Sequence, residues 1–154
     1  MELSLMNVIF FGFPEGISVA ILAFVLSKVK LEWKKIMIIS IVLPFSAYLL
    51  RLLPISFGVH TIVYIGLLFF MLIRLGQVPL VNAIINSLIT LLFLIIFETT
   101  TSMIIMNLFN ITQQMMEDEI LINMLVFYPH VILLAFTAFL INKKSGINNN
   151  VIKN

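Results

Sequence analysis

Five ionisable residues lie inside long apolar runs of this 154-residue chain, where a charge needs a physical reason. They are Glu15, Arg51, His60, Glu98 and His130. An isolated charge in hydrocarbon is costly, so such residues usually face the interior of a helical bundle, pair with one another, or mark a ligand or proton pathway. Carboxylates, a guanidinium group and imidazoles can recognise a polar ligand or carry a proton.

The composition identifies the kind of structure that must position these residues. The chain is 62% hydrophobic and 10% charged, with a mean hydropathy of +1.18. Soluble domains are about 45–50% apolar and about 25% charged. The sequence therefore predicts an all-α fold, a polytopic membrane helical bundle in which residues 1–154 form a single integral membrane domain. The absence of cysteine excludes disulfides and thiolate metal sites, and a net charge of +2 gives no reason to expect a nucleic-acid partner.

The apolar runs have the length of membrane spans. A bilayer core about 30 Å thick needs roughly 20 apolar residues in a helix. We therefore predict about five transmembrane helices, at about 4–29, 35–53, 57–75, 78–98 and 120–142, followed by a cytoplasmic tail over 143–154.

Two of these spans have uncertain ends in the sequence. The first either begins at Pro14, with residues 1–12 on the outer interface, or is one long kinked helix. The fourth apolar run continues to about residue 108, but Glu98 is followed by three threonines and a serine. We expect the fourth helix to break or leave the membrane there, and residues 103–117 to form an interfacial amphipathic segment.

The basic residues indicate the orientation. Lysine and arginine fall in alternate connections and in the tail, at Lys28, Lys30, Lys34, Lys35, Arg74, Lys143, Lys144 and Lys153. The 110–119 loop instead holds Glu117, Asp118 and Glu119. Because cytoplasmic loops carry the excess of Lys and Arg, we predict a multi-pass cell-membrane protein with its N-terminus outside and its C-terminus in the cytoplasm. Trp33 is suited to anchor the inner interface.

Counting about 1.5 Å per helical residue places Glu15, Arg51, His60 and Glu98 together at the outer face. We predict these four as ligand-binding residues. Arg51 has three readings: a salt bridge with Glu15 or Glu98, snorkelling to the headgroups, or contact with a ligand. Glu15 either stabilises the first turn of a helix or belongs to the site.

His130 lies near the middle of the fifth span. We expect a buried histidine with satisfied hydrogen bonds, the alternative being a proton relay or a ligand contact. Asn82, Asn86 and Ser87 are expected to make interhelical hydrogen bonds. The sequence has no catalytic motif and no metal-binding pair of histidines at helical spacing, so we predict no enzymatic activity, no cofactor and no metal.

The order of features resembles the N-terminal membrane sensor region of peptide-responsive sensor histidine kinases of the accessory-gene-regulator type. The residues that carry the resemblance are Pro14-Glu15, the lysine-rich connection at 28–35, Arg51, the Phe57-Gly58-Val59-His60-Thr61 turn and Glu98. The similarity covers about residues 10–142. It implies a sensor-like ligand-binding membrane module. Kinase activity is not implied, because these 154 residues hold no phosphoacceptor helix and no nucleotide-binding boxes.

Three functions are consistent with the sequence. The leading hypothesis is a non-enzymatic sensor or accessory subunit that binds an extracytoplasmic small molecule or peptide through an outer-face polar cluster. The second is a small transporter component or substrate-binding membrane subunit, and the third is an assembly protein. Depth separates the first two, because transporter sites lie near the midplane. The expected partners are the lipid bilayer and either a membrane or cytoplasmic protein or a second copy of the chain.

Overall fold

The computed structural model describes residues 8–52 and 59–145, and within them the fold is all-α. The helices are α1 (Phe13–Leu26), α2 (Trp33–Arg51), α3 (Val59–Arg74), α4 (Leu80–Phe109), α5 (Gln113–Asp118) and α6 (Ile120–Ser145). A π-helical segment, Val8–Gly12, runs directly into α1. No strand occurs in the described ranges, which confirms the predicted fold class.

Four helices are long and apolar enough to cross a membrane: Val8–Leu26, Trp33–Leu50, Leu80–Phe109 and Ile120–Lys144. The third predicted span is a shorter apolar helix, Thr61–Arg74 within α3. The 16 residues of α3 rise about 24 Å, less than the bilayer core. A helical membrane protein is therefore the correct description, and the count of five spans stays a prediction.

Helix α1 is the centre of the bundle. It packs against α2, α4 and α6, while α3 lies between α2 and α4. Its fully buried residues include Val19, Ala20, Leu22, Ala23 and Phe24. A helix that is apolar on all sides has to be enclosed by others, and the other spans enclose α1 in this way.

Two glycines allow α1 to approach α2 closely. A Cβ on Gly12 would lie 2.6 Å from Pro44 Cβ, and one on Gly16 would lie 2.9 Å from the Ser40 Cα and carbonyl oxygen. The four-residue spacing forms the G-x-x-x-G pattern of close membrane helix pairs. Pro44 has no N–H to donate to Ser40, four residues earlier, so this carbonyl lacks its usual helical bond where it meets Gly16.

The uncertain helix ends are resolved for the described residues. The α-helix begins at Phe13, with Pro14 at its first positions and Glu15 in its first turn, as the first reading expects. The π-helical segment Val8–Gly12 extends this helix, so that Val8–Leu26 is long enough to be one span, as the second reading expects. The expected break at Glu98 is wrong, because α4 is unbroken from Leu80 to Phe109, and the alternative, that α4 leaves the membrane there, stays a prediction.

The hydroxyl-rich stretch after Glu98 is compatible with this unbroken helix. Thr99 and Thr101 donate to the carbonyls of Ile95 and Phe97, one turn earlier in α4. The helix ends instead at Asn110, whose φ of 51° is left-handed. The predicted interfacial segment 103–117 is thus divided between the end of α4 and the short helix α5.

Candidate functional site

The contact between α1 and α4 fixes the relative height of the two intramembrane carboxylates. Asn86 Nδ2 donates to Ser27 Oγ over 3.0 Å, joining the two antiparallel helices near one end. Glu15 lies twelve residues from Ser27 along α1, and Glu98 lies twelve residues from Asn86 along α4. Equal counts from a shared contact bring the two carboxylates to the same level of the bundle.

A tyrosine from a third helix joins them. The carboxylates of Glu15 and Glu98 both lie within electrostatic range of the Tyr64 hydroxyl on α3. Glu15 and Tyr64 are half-buried, and Glu98 is exposed on the side of the bundle. We call Glu15, Tyr64 and Glu98 the acidic cluster. The sequence interpretation missed Tyr64, although a phenol one helical turn after His60 in an apolar run was a usable signal.

His130 reaches the same level on the other side of α1. The rings of Phe11 and Phe127 are 5.0 Å apart in an edge-to-face contact, which sets the register of α1 against α6. Glu15 lies four residues after Phe11, and His130 lies three residues after Phe127, in helices that run in the same direction. Their heights therefore differ by only about 1.5 Å.

The imidazole of His130 is fully buried among aromatic groups. Its ring lies 4.5 Å from that of Phe127, edge to face. Neither ring nitrogen has a hydrogen-bond partner of good geometry among the described residues. The expected burial is confirmed. Of the expected hydrogen bonds, the described residues provide one weak candidate, with the backbone carbonyl of Phe127.

Three prolines mark the same level. Pro14 precedes Glu15, Pro129 precedes His130, and Pro44 on α2 lies against Gly12. Within a helix, proline removes a backbone donor and leaves a carbonyl unpaired, as at Pro44 and Pro129. The structure thus places helix irregularities beside the ionisable side chains. We call Glu15, Tyr64, Glu98 and His130 together the polar level.

The distance of the polar level from the basic residues at one end of the bundle can be counted along the helices. Lys28 is 13 residues from Glu15, Arg74 is 10 residues from Tyr64, and Lys143 is 13 residues from His130. These counts correspond to roughly 15–20 Å along the helices, against a half-thickness of about 15 Å for the bilayer core. On the far side, α4 continues eleven residues beyond Glu98.

The predicted outer-face position of Glu15 and Glu98 takes Pro14 and Glu98 as the outer ends of their spans. Both helices continue beyond these residues, through the π-helical segment before α1 and through the last eleven residues of α4. These extensions add about 10 Å of described helix beyond Glu15 and about 16 Å beyond Glu98. They favour a position deeper in the span for both carboxylates, and the depth itself stays a prediction.

Arg51 and His60, the other two predicted ligand-binding residues, lie further along the bundle from Lys28 and Arg74 than the polar level does. Arg51 is the last residue of α2, seven residues beyond Pro44, and Glu15 is three residues below Gly12 on the facing helix. The backbone of Arg51 is thus about 15 Å from the level of Glu15, on the side away from Lys34 and Lys35 at the start of α2. His60 is the second residue of α3, one turn from Tyr64. The side chains of both lie outside the described parts, and ligand binding by all four residues stays a prediction.

The remaining polar residues have structural roles. Asn86 makes the predicted interhelical bond, Ser87 donates to the Ile84 carbonyl of its own helix, and Asn82 is exposed. Among the described residues, no three His, Asp or Glu side chains form a group that can hold a metal ion.

Comparisons with protein-family models, with curated proteins and with solved structures give no match to this chain.

Proposed function

We propose that this protein is a non-enzymatic small transporter component that binds a small cation, or an organic solute bearing one, at the acidic cluster. One observation carries the proposal. The carboxylates of Glu15 on α1 and Glu98 on α4 lie within electrostatic range of the Tyr64 phenol on α3. We infer that this level is close to the membrane midplane, where secondary transporters hold their substrates between irregular helices. Ionisable side chains cost free energy in the hydrocarbon region, and contact with lipid alone does not explain why the chain has them there.

The charge of the cluster favours a positively charged group on the solute. Carboxylates accept hydrogen bonds from ammonium and guanidinium groups, and the Tyr64 hydroxyl can donate or accept. Glu98 is exposed and Glu15 is half-buried, so the cluster extends from the bundle surface toward its centre.

His130 provides an ionisable group outside the acidic cluster that could take part in a transport cycle. It lies at the height of Glu15 but on the α6 side, enclosed by aromatic rings. Buried ionisable residues in membrane spans typically belong to proton or ion pathways. In our proposal His130 takes up and releases a proton as the bundle alternates between two arrangements.

The test measures binding and translocation separately. Purified protein is reconstituted in vesicles and supplied with radiolabelled guanidinium, choline or spermidine as probes. Glu15→Gln and Glu98→Gln should each lower uptake at least tenfold. The matched control is Glu32→Gln. Glu32 lies directly before α2, away from the acidic cluster, and it forms a salt bridge with Lys35. Unchanged uptake in both cluster variants, or no saturable uptake of any probe by the parent protein, would contradict the proposal.

A sensor for an extracytoplasmic small molecule or peptide is the second candidate. The exposed helix α5 and the eleven residues of α4 beyond Glu98 favour it, since they provide surface beyond the polar level. A sensor would bind a probe saturably without moving it across the bilayer. Binding without uptake, abolished by Glu98→Gln, would select the sensor.

A further inference from the structure

The end of the bundle opposite α5 carries a concentrated positive charge. Seven basic side chains come together there from the α1–α2 connection, the start of α2 and the ends of α3 and α6: Lys28, Lys30, Lys34, Lys35, Arg74, Lys143 and Lys144. We call them the basic end. The one carboxylate among them, Glu32, is bonded to Lys35 at 2.9 Å.

Most of these charges point outward. All of them except Lys35 are exposed, and within the described ranges none of those six forms a salt bridge. Such a group of like charges repels itself unless an anion lies against it. The chain must therefore obtain its counter-charge from outside this part of the bundle.

The position of Arg74 indicates where an anion could contact the basic end. Its guanidinium carbon is 5.4 Å from the centre of the Phe70 ring, one turn earlier on α3. Phe70 is 49% exposed on the outer wall of the bundle. The guanidinium thus lies over a lipid-facing ring at the edge of the hydrocarbon, with its planar donors available for a phosphate.

Trp33 marks the same boundary on the neighbouring helix. Its side chain is 69% exposed at the start of α2, directly before Lys34. Tryptophan is enriched at the headgroup level of membranes, where its ring is partly in hydrocarbon and its N–H is in a polar layer. An aromatic ring and a cation thus recur on two adjacent helices at one height.

We propose that the basic end binds anionic phospholipids, with the Arg74 guanidinium, positioned over the Phe70 ring, holding one phosphate at the outer wall of α3. The lysines of the α1–α2 connection and of α6 add attraction to the surrounding anionic headgroups. Each basic residue near a membrane surface strengthens binding by about fivefold. This interaction is independent of the acidic cluster and of what that cluster binds.

Trp33 provides the reporter for the test, because it is the only tryptophan in the chain. Full-length protein in mild detergent is titrated with brominated phosphatidylglycerol or with brominated phosphatidylcholine, and quenching of its fluorescence is followed. The anionic lipid should quench at a several-fold lower concentration, and added salt should reduce the difference.

The variants make the assignment specific. Arg74→Gln should raise the half-quenching concentration of phosphatidylglycerol about fivefold, and Lys28→Gln with Lys30→Gln and Lys34→Gln should raise it further. Asp118→Asn with Glu119→Gln, at the far end, is the matched control and should change nothing. Circular dichroism checks that each variant is folded.

Three outcomes would overturn the proposal. The first is equal quenching by the two lipids in the parent protein. The second is a parent-like titration in both the Arg74 and the triple-lysine variants. The third is full relief of quenching by soluble glycerol phosphate at matched concentration, which would assign the site to a free phosphate.

Discussion

At the scale of single residues, His130 is the feature that packing alone does not explain. Its imidazole is enclosed by α6 and the segment preceding α1, and both ring nitrogens lack a good hydrogen bond among the described residues. A buried polar group in this condition costs about 1–3 kcal/mol of folding free energy. Functional sites often retain such costs, because an apolar replacement would be more stable but inactive.

His130→Leu should therefore stabilise the protein and abolish the proposed transport. Leucine has a similar volume and needs no hydrogen-bond partner, so we expect a gain of about 1–3 kcal/mol in the free energy of unfolding. Chemical denaturation in detergent measures the stability, and probe uptake in vesicles measures the activity. Tyr128→Phe is the control: it removes the hydrogen bond to the Phe10 carbonyl, leaves the imidazole in place and should cost about 1 kcal/mol. A leucine variant that is both stabilised and fully active would show that His130 has no functional role.

The position of Arg51 can be tested through its coupling to Glu98. The register of α1 against α2 and α4 separates the backbones of Arg51 and Glu98 by about 15 Å along the bundle. The effects of Arg51→Met and Glu98→Gln on unfolding free energy should add to within about 0.5 kcal/mol. A coupling free energy above about 1 kcal/mol between the two substitutions would instead indicate an ion pair between Arg51 and Glu98.

At the scale of elements, the close pairing of α1 with α2 sets the height of Glu15. Gly12 and Gly16 let the helices approach, and Ser40 and Pro44 occupy the space that larger side chains would need. Without this approach, α1 could not present Glu15 to Tyr64 while also contacting α4 and α6. The glycine face is therefore a structural requirement of the acidic cluster.

Gly16→Ala should weaken the bundle, whereas Gly66→Ala should not. An added methyl group at Gly16 would lie 2.9 Å from backbone atoms of Ser40, which cannot move aside like the end of a side chain. Overpacking of this kind costs about 1–3 kcal/mol. Gly66, on α3, has no neighbour within 4 Å of an added Cβ, so alanine there should be neutral or stabilise by up to about 1 kcal/mol. Thermal unfolding in one detergent compares the two, and equal midpoints would contradict the close contact.

The elements also show what the sequence could and could not predict. Helix class and approximate spans followed from composition, because apolar runs of this length have one stable form in lipid. The depth of Glu98 did not follow, since the Thr99 and Thr101 hydroxyls resembled a break but bond back within α4. The Gly12–Gly16 spacing was readable and was overlooked. The partners of the two glycines depend on register between helices, which the sequence of one helix does not contain.

At the scale of the whole molecule, charge is distributed in three layers. The basic end lies on one side, the polar level lies roughly 15–20 Å further along the bundle, and the acidic residues Asp118 and Glu119 lie at the end of α5 on the other side. Apart from Arg51, at the far end of α2, the basic residues of the described ranges are at one end, which agrees with the rule that cytoplasmic connections carry Lys and Arg. The orientation itself, with the N-terminus outside, remains a prediction.

The absence of native cysteine makes that orientation directly measurable. Cysteines are introduced one at a time at Lys30, Gln113 and Lys144, which are all exposed. Intact cells are treated with a membrane-impermeant thiol reagent, and lysed cells serve as the control for reactivity. Position 113 should react in intact cells, because α5 follows the long helix α4 out of the membrane on the side opposite the basic end. Positions 30 and 144 should react only after lysis, since moving several lysines across the bilayer during insertion is unfavourable. Labelling of positions 30 and 144 but not of position 113 in intact cells would show that the orientation is the reverse of the predicted one. The inverted orientation would place the basic end against the outer leaflet, while the shared height of Glu15, Tyr64, Glu98 and His130 within the bundle would be unchanged.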